Sequence, residues 1–272
     1  MQVTGNNTAN NKSLSIRIST NGLSFCTYAP TEEPHYVYNK YKVRPTISMA
    51  ANLKDALLND PMLKDVYQRV NVMVTSPHFT VVPASSFKSE DLQDIYAFNF
   101  PKDEAQHLSF NILRRQGLAI IFGLDKNVHQ LITDDFPRAR FYASASTLAE
   151  FFAERSAGGR MLKMYAYIHE REMTMFVFEH GRLLFVNSFQ AAHTTDYQYY
   201  VLNVWKQLEM DQLNDMLFVV GDNDMARQLT ESIGEYIKSV ELMSREDDFS
   251  AKPTQGNSII PYDLQTLLVC GF

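Results

Sequence analysis

This sequence has few cysteines, no long apolar run and no excess of positive charge. Its 272 residues include two cysteines, Cys26 and Cys270, which are too few for a disulfide framework. Uninterrupted apolar runs are short, such as residues 118–122, whereas a membrane-spanning helix needs about 20 apolar residues. Lys and Arg total 25 against 31 Asp and Glu, and the resulting net charge of −6 argues against a general nucleic-acid binder.

The N-terminal residues 1–13 are polar and rich in asparagine, without the apolar core of a signal peptide. We predict that they form a disordered tail. The rest of the chain has an ordinary globular composition, with 45% hydrophobic and 21% charged residues. A chain of this length buries enough surface to fold without a disulfide or a metal. We therefore expect a soluble, cytoplasmic protein without a transmembrane segment.

Alternating apolar residues between positions 14 and 75 predict three strands, a helix and a further strand. Asn21-Gly22 lies between the first two strands, and this dipeptide is typical of a type I′ hairpin turn with positive φ at both positions. The same order of elements recurs between positions 163 and 220. The recurrence predicts two similar α/β halves that face each other across a cleft. The alternative is one irregular α+β domain.

Breaks in these patterns predict the boundaries of the units. They are a first lobe at 14–157 with a strand–strand–helix insertion near 95–135, a second lobe at 160–243, a polar loop at 244–258, and a C-terminal helix at 259–272. We expect this last helix to pack back on the lobes.

Capping residues predict where three of the helices begin. Ser146 or Thr147 is expected to cap a helix at the end of the first lobe. Asp222 is expected to cap a helix that continues to Ile237. Pro261 is expected at the first position of the C-terminal helix, because proline lacks the N–H that this position leaves unbonded.

Residues 168–185 read Ile-His-Glu-Arg-Glu-Met-Thr-Met-Phe-Val-Phe-Glu-His-Gly-Arg-Leu-Leu-Phe. This strand, loop, strand and turn resemble the opening hairpin of the second half of the actin-like ATPases, most of all the bacterial cell-division and type IV pilus assembly members. Residues 118–152 resemble the stretch that precedes this hairpin. The chain also resembles an uncharacterised bacterial family that has this fold and no assigned activity. The resemblance implies an α/β fold of duplicated, ribonuclease-H-like halves, arranged as two lobes around a cleft.

The resemblance also implies what an ATPase of this fold requires. Each half needs a loop of the form Asp-x-Gly, in which glycine admits the phosphates and aspartate positions Mg²⁺. In the first loop, Arg17 or Ser19 stands where the aspartate belongs. The second loop, residues 169–172, has no glycine, and the glycine pair on the adenosine side is reduced to Gly221. All three sites are therefore degenerate in sequence.

If a nucleotide binds, the resemblance implies that its contacts come from the residues of these loops: Ser19, Thr20, Asn21, Gly22, Gly221 and Asp222. The residues by themselves favour other roles. Gly22 suits a hairpin turn, Gly221 suits a connection from strand to helix, and Asp222 suits a helix N-cap. We assign no catalytic residue.

Motifs of other enzyme classes are absent from the sequence. It has no Gly-x-x-x-x-Gly-Lys-Ser/Thr, no Gly-x-Gly-x-x-Gly and no Gly-x-Ser-x-Gly. A metal-dependent hydrolase is a weaker hypothesis, since His169, Glu170, Glu172 and His180 are residue types that bind zinc. A solvated hairpin edge is the favoured explanation for them, so we assign no metal site.

The favoured function is that of a non-catalytic interaction or assembly protein, which retains the two-lobed frame, has lost the ATP machinery and uses no cofactor. We expect a protein partner, which the sequence does not identify, and no nucleic acid. The main alternative is a divergent ATP-binding protein or ATPase with Mg-ATP as its cofactor, using Asn21, Gly22 and Gly221.

An aromatic cluster occurs in one helix of the second half. Tyr197 and Tyr200 follow the helical spacing of core residues, whereas Tyr199 and Trp205 do not both fit that stripe. We expect the cluster to pack in the core, and a protein interface is the alternative.

Overall fold

The computed structural model describes residues 12–31, 35–191, 193–221, 223–244, 249 and 260–270. The strands in this part of the chain are β1 (Ser13–Ile18), β2 (Leu23–Tyr28), β3 (Tyr36–Tyr41), β4 (Arg69–Val74), β5 (Phe79–Pro83), β6 (Gln106–Leu113), β7 (Leu118–Asp125), β8 (Arg140–Ala143), β9 (Lys163–His169), β10 (Glu172–Glu179), β11 (Arg182–Gln190), β12 (Met216–Val220) and β13 (Ser239–Met243). The α-helices are α1 (Met49–Asn59), α2 (Leu92–Asn99), α3 (Lys126–Asp135), α4 (Ser144–Arg155), α5 (Thr194–Gln207), α6 (Asp224–Ile233) and α7 (Tyr262–Cys270). No helix among the described residues is long and apolar enough to cross a membrane.

Some predictions concern residues outside these described ranges. The predicted N-terminal tail lies outside them except for its last two residues, and the second of these, Ser13, begins β1. Of the predicted loop at 244–258, only residues 244 and 249 are described. Asp222 also lies outside the described residues.

Two five-stranded sheets share one strand order. The first sheet has the order β3-β2-β1-β4-β8, and the second has the order β11-β10-β9-β12-β13. In each sheet the first three strands are antiparallel neighbours, and the last two run parallel to the central strand. The shared order confirms the predicted duplication, because two α/β halves of the same topology form the two lobes.

Strand β9 shows how the second sheet divides its residues between two cores. Met164 and Ala166 belong to a core under helices α5 and α6. Tyr165 and Tyr167 belong to a core that also contains residues of the first lobe. Because successive side chains of a strand lie on opposite faces, one face of this sheet packs on its own helices and the other faces the space between the lobes.

Helices α4 and α7 occupy that space. Phe152 of α4 stacks on Tyr165 of the second sheet with ring centroids 4.3 Å apart. Leu264 of α7 is fully buried against side chains of the first sheet. The two helices also contact each other, since the Thr266 hydroxyl donates to the Thr147 hydroxyl at 3.0 Å. The C-terminal helix therefore lies against the first lobe, between the two sheets.

A third sheet, with the antiparallel order β5-β7-β6, interrupts the first lobe between β4 and β8. Together with α2 it forms an insertion that begins at Phe79, whereas Val128 and Ile132 of α3 lie in the core of the first lobe with Leu53 of α1. Strand β5, at Phe79, pairs with β7 of the insertion and not with a strand of the first sheet. The sequence does not predict α2, because Tyr96 is its one buried residue and its apolar periodicity is therefore weak.

The predicted type I′ turn at Asn21-Gly22 is wrong. The pairing of β1 with β2 leaves a four-residue loop, Ser19–Gly22, which is closed by a 2.9 Å hydrogen bond from the N–H of its first residue to the carbonyl of its last. Neither Asn21 nor Gly22 has a positive φ. The paired positive φ angles occur instead at His180 (49°) and Gly181 (79°), in the two-residue turn between β10 and β11.

Two predicted helix caps are corrected. Helix α4 begins at Ser144, so Ser146 and Thr147 lie inside its first turn, where both are buried. Helix α6 is capped by Asn223 rather than Asp222, since the Asn223 side-chain oxygen accepts a backbone hydrogen bond at 2.9 Å. An amide one residue later provides the same capping acceptor as the predicted carboxylate.

The predicted end of α6 at Ile237 is also corrected. The helix ends at Ile233 and is followed by Gly234. The chain then forms β13, which pairs in parallel with β12 and completes the second sheet. The sequence hides this strand because its residues are mostly exposed or half-buried and show no clear alternation. The last helix begins at Tyr262, directly after Pro261.

The aromatic residues of α5 divide between core and surface. Tyr197 and Trp205 are buried in the core of the second lobe. Tyr199 is 65% exposed, and Tyr200 lies against Phe189 with ring centroids 4.6 Å apart. Tyr200 is half-buried against the same core, so core packing explains three of the four, and Tyr199 remains on the surface.

Phe152→Ala should destabilise the protein by about 3–5 kcal/mol, because it removes a fully buried ring at the contact between the lobes. Phe98→Ala is the matched control, since this ring is 91% exposed, and it should change stability by less than about 0.5 kcal/mol. Urea unfolding measures both free energies. Similar losses in the two variants would show that Phe152 does not pack as described.

Candidate functional site

The candidate site is the cleft between the lobes, where the loops after β1, β9 and β12 meet. Thr20, Asn21 and Glu170 line a cavity of about 540 Å³ between the first two loops. Gly221, after β12, lines a separate cavity of about 260 Å³ together with Tyr262 of α7. The structure thus brings the predicted loops to one cleft, but it divides them between two cavities.

The loops after β1 and β9 are hydrogen-bonded directly to each other. The Ser19 hydroxyl donates to Glu170 Oε1 at 2.9 Å, and the Asn21 side-chain amide lies 3.5 Å from Glu170 Oε2. A Cβ added at Gly22 would lie 2.6 Å from Ser19 Oγ and 3.4 Å from Glu170 Oε1. The tight contact at position 22 is therefore with the Ser19 hydroxyl of the same loop, whereas the distance to Glu170 of the other lobe is an ordinary van der Waals contact.

Glu170 is held as a carboxylate by its neighbours. His169 Nε2 lies 3.2 Å from Glu170 Oε1. The hydrogen bond from His169, aided by its charge, the Ser19 hydroxyl and the charge of Arg17, lowers the pKa of Glu170 to about 2, against the opposing effect of burial. Glu170 also has a φ of 54°, a left-handed conformation that is uncommon for a residue other than glycine.

The pKa of Glu172, two residues later, is shifted in the opposite direction. Burial and the nearby negative charge of Glu170 raise the pKa of Glu172 to about 7, and a hydrogen bond from Thr20 only partly offsets this. The same cavity is lined by Asp196 and by one guanidinium, that of Arg171. Near pH 7, Glu170, Asp196 and the partly ionised Glu172 still outweigh one guanidinium, which makes this wall of the cleft unfavourable for a triphosphate.

Arg17 lies on β1 at one of the two positions where the resemblance places a magnesium-binding aspartate. Its guanidinium binds Asp263 of α7, with Nε 2.9 Å from both carboxylate oxygens and Nη2 2.8 Å from Oδ2. The Thr75 hydroxyl donates to the same Oδ2 at 3.0 Å. The side chains of Arg17 and Asp263 are 4% and 0% exposed, so this is a buried ion pair.

Each charge of this pair stabilises the other. Burial by itself lowers the pKa of Arg17, but the Asp263 carboxylate outweighs that effect and the pKa of Arg17 is raised. Burial by itself raises the pKa of Asp263, but the charge and hydrogen bonds of Arg17 outweigh it and the pKa of Asp263 is lowered. Both groups are therefore charged at neutral pH.

Gly221 is required by the local backbone. Its φ is 150°, and an added Cβ would lie 3.0 Å from the carbonyl oxygen of Ile168. This close contact with the end of β9 explains the glycine without a ligand, as a connection from strand to helix. The neighbouring Asp222 lies outside the described residues, so its predicted contact is not placed.

The four residues of the metal hypothesis do not converge. Glu172 begins β10 and His180 follows its other end, so about 25 Å separates them along the strand. Among the described residues, no group of three or more His, Cys, Asp or Glu side chains is arranged to hold a metal ion.

Asp263 and Thr75 are the site residues that the sequence does not predict. Asp263 stands alone between Tyr262 and Leu264 in a mostly apolar segment. A single charge in such a segment is a signal of a buried, paired residue, although it does not reveal the partner. Thr75 follows β4 without any distinguishing pattern.

Comparisons with known proteins agree with this architecture. A sequence model of the family described as "Protein of unknown function (DUF3822)" matches residues 3–240. A crystal structure from Bacteroides thetaiotaomicron, of a protein with an actin-like ATPase fold and unknown function, is 33% identical, covers 96% of each chain and has a TM-score of 0.82. A structure of the PilM–PilN type IV pilus biogenesis complex is 10% identical, covers 90% of this chain and 92% of that one, and has a TM-score of 0.55. No curated protein matches the sequence.

The two glutamates of the β9–β10 turn should respond oppositely to neutralisation. Glu170→Gln should lower the Tm at pH 8 by about 2–4 °C, because it removes the charged contacts of Glu170. In the wild type, the Glu170 carboxylate stabilises the folded protein above the pKa that this group has in the unfolded chain. That stabilisation is lost as pH falls toward about 2. Glu172→Gln should raise the Tm at pH 8 by about 2–4 °C, because the wild type loses stability as pH rises through about 7. Thermal unfolding at pH 4, 6 and 8 measures both.

Glu154→Gln is the control for this pair, since its side chain is exposed beside Arg115 and should change the Tm by less than about 1 °C. At pH 4 the gain from Glu172→Gln should vanish. Equal Tm changes for the two variants at pH 8 would contradict the opposite pKa directions.

Asp263→Asn should destabilise the protein by about 3–5 kcal/mol, because it leaves the buried Arg17 charge without its partner. Asp65→Asn is the matched control, since the Lys12–Asp65 pair is partly exposed at 3.3 Å and such pairs contribute about 0–1 kcal/mol. Urea unfolding at pH 7 compares the two. A loss below about 1 kcal/mol for Asp263→Asn would be inconsistent with a buried ion pair.

Proposed function

This chain belongs to the DUF3822 family of proteins of unknown function and has the actin-like ATPase fold, and we propose that it is an interaction or assembly protein that does not hydrolyse ATP. In this proposal the protein retains the two-lobed fold of the ATPases, and the contacts in its cleft hold the two lobes together. The proposed partner is another protein.

The buried Arg17–Asp263 pair is the observation that carries this proposal. An ATPase of this fold is expected to offer Mg²⁺ a carboxylate at the phosphate loop, since Mg²⁺ prefers oxygen ligands. Here a guanidinium stands at that position, and its charge is already neutralised by Asp263. Neither group is then available to a metal or a phosphate while α7 is in place.

The contact between the two loops supports the same proposal. The phosphates of a nucleotide would have to lie between the loops after β1 and β9, where Ser19 now donates to Glu170 at 2.9 Å. Inserting phosphates would break that bond and bring negative charge against Glu170 and Glu172. Both effects oppose nucleotide binding.

A protein partner is supported by two observations. Tyr199 is 65% exposed on α5, and exposed tyrosine is enriched at protein interfaces. The PilM–PilN structure, which shares this fold, is a complex between proteins. A cytoplasmic location is also part of the proposal, and it is supported by Cys26, a free buried thiol, which suits a reducing compartment.

The divergent ATP-binding protein is the second candidate. The observation that favours it is the cavity of about 540 Å³ lined by Thr20 and Asn21, which has the size of a small-ligand site. In this alternative, nucleotide binding would have to break the Ser19–Glu170 bond.

Thermal unfolding with millimolar Mg-ATP or Mg-ADP, together with a phosphate-release assay, distinguishes these functions. The proposed function predicts a Tm change below about 1 °C and phosphate release equal to a blank. A bound nucleotide at 100 times its Kd would add about 2.7 kcal/mol, which corresponds to roughly 5–10 °C. Mg-ATP turnover that is lost in Asn21→Ala would overturn the non-catalytic proposal.

A further inference from the structure

The Asp263 carboxylate lies in a cage of donors built by the first lobe. Arg17 on β1 contributes three short contacts at 2.8 to 2.9 Å, and Thr75, after β4, contributes its hydroxyl at 3.0 Å. β1 and β4 are adjacent parallel strands of one sheet, so the two donors are held by a rigid support. The backbone positions of both donors are therefore set by the first sheet and not by α7.

The chemistry of this cage is that of an oxyanion site. A guanidinium presents a planar fork of N–H donors that matches the two oxygens of a carboxylate or a phosphate. A hydroxyl adds a donor from a different direction. Asp263 is therefore one example of the anions that these donors can bind.

The surface of the first sheet that α7 covers contains buried polar atoms without hydrogen-bond partners among the described residues. Ser15 and Asn71 are register partners on β1 and β4, and Ser15 Oγ, Asn71 Oδ1 and Gln265 Oε1 of α7 are buried without a hydrogen-bond partner among the described residues. Burying such atoms unpaired costs about 1–3 kcal/mol each in proteins. A surface of this kind suits a helix that can leave and allow water to reach these groups.

We propose that Arg17 and Thr75 form an oxyanion-binding site, which the chain fills with its own Asp263, so that a ligand with a carboxylate or phosphate group competes with the start of α7. The inference goes beyond the proposed function, because it assigns the cleft a ligand class and makes the C-terminal helix its competitor. It requires no ATP hydrolysis and no metal.

Asp263→Ala tests the site directly, because it removes the internal anion and leaves room for a small external one. The probes are formate, acetate and inorganic phosphate, each at constant ionic strength against chloride. The Tm of Asp263→Ala should rise saturably, by about 3–6 °C at ten times the Kd. The wild type should not respond to formate or acetate at these concentrations, because its own carboxylate fills the cage.

The double variant Arg17→Met/Asp263→Ala is the matched control, and its Tm should not respond to any of the three anions. A response to formate and acetate but not to phosphate would assign the site to carboxylate ligands, and a response to phosphate would extend it to phosphate groups. No response of Asp263→Ala beyond that to chloride would overturn the proposal. These assays contain no nucleotide, so their failure is distinct from a failure of the non-catalytic proposal, which Mg-ATP turnover by the wild type would show.

A second variant covers the case in which Asp263→Ala does not fold. Asp263→Asn retains the shape of the side chain but binds Arg17 without a charge. In this variant, 50 mM acetate or 50 mM phosphate should accelerate hydrogen exchange of the α7 amides at least threefold over chloride, while exchange in the core of the second lobe stays unchanged. Equal α7 exchange in acetate, phosphate and chloride would overturn the competition between ligand and helix.

Discussion

The pair of opposite charges between Arg17 and Asp263 is the contact on which the arrangement of this protein depends. Removing two charges from water is costly, and the cost is recovered only where geometry and hydrogen bonding are favourable. Here the guanidinium binds both carboxylate oxygens, and Thr75 and the Leu264 backbone N–H donate to the same group. The pair therefore sets the position of α7, and α7 in turn occupies the space between the lobes.

The contact between the β1 and β9 loops depends on the same closure. Ser19 reaches Glu170 only while the lobes stay close, and Gly22 leaves room for the Ser19 hydroxyl that makes this bond. The charge of Arg17 also helps keep Glu170 ionised. Polar contacts thus occupy the cleft at the loops after β1 and β9, where the sequence resemblance places a nucleotide. The fold by itself does not determine the function, and these side chains determine what the cleft can bind.

Sequence patterns predicted the elements that pack on both sides. Apart from β13, the strands of both five-stranded sheets and the repeated order were visible because buried strands alternate or are continuously apolar. The patterns missed α2 and β13, whose residues are mostly exposed or half-buried. They also gave the wrong turn at Asn21-Gly22, because a loop held by contacts with the other lobe does not follow the preference of its dipeptide. Exposed elements and loops with distant contacts carry weak local signals.

The sequence by itself determined the duplicated α/β architecture and the absence of an Asp-x-Gly pattern from the loops after β1 and β9, since both are properties of neighbouring residues. It also marked Arg17 and Ser19 as the residues standing in place of the expected aspartate. Only the tertiary structure decided what these residues do. Arg17 meets Asp263 across 246 positions and Ser19 meets Glu170 across 151. Pairing at such distances results from the packing of the two lobes and of α7, which no local pattern records.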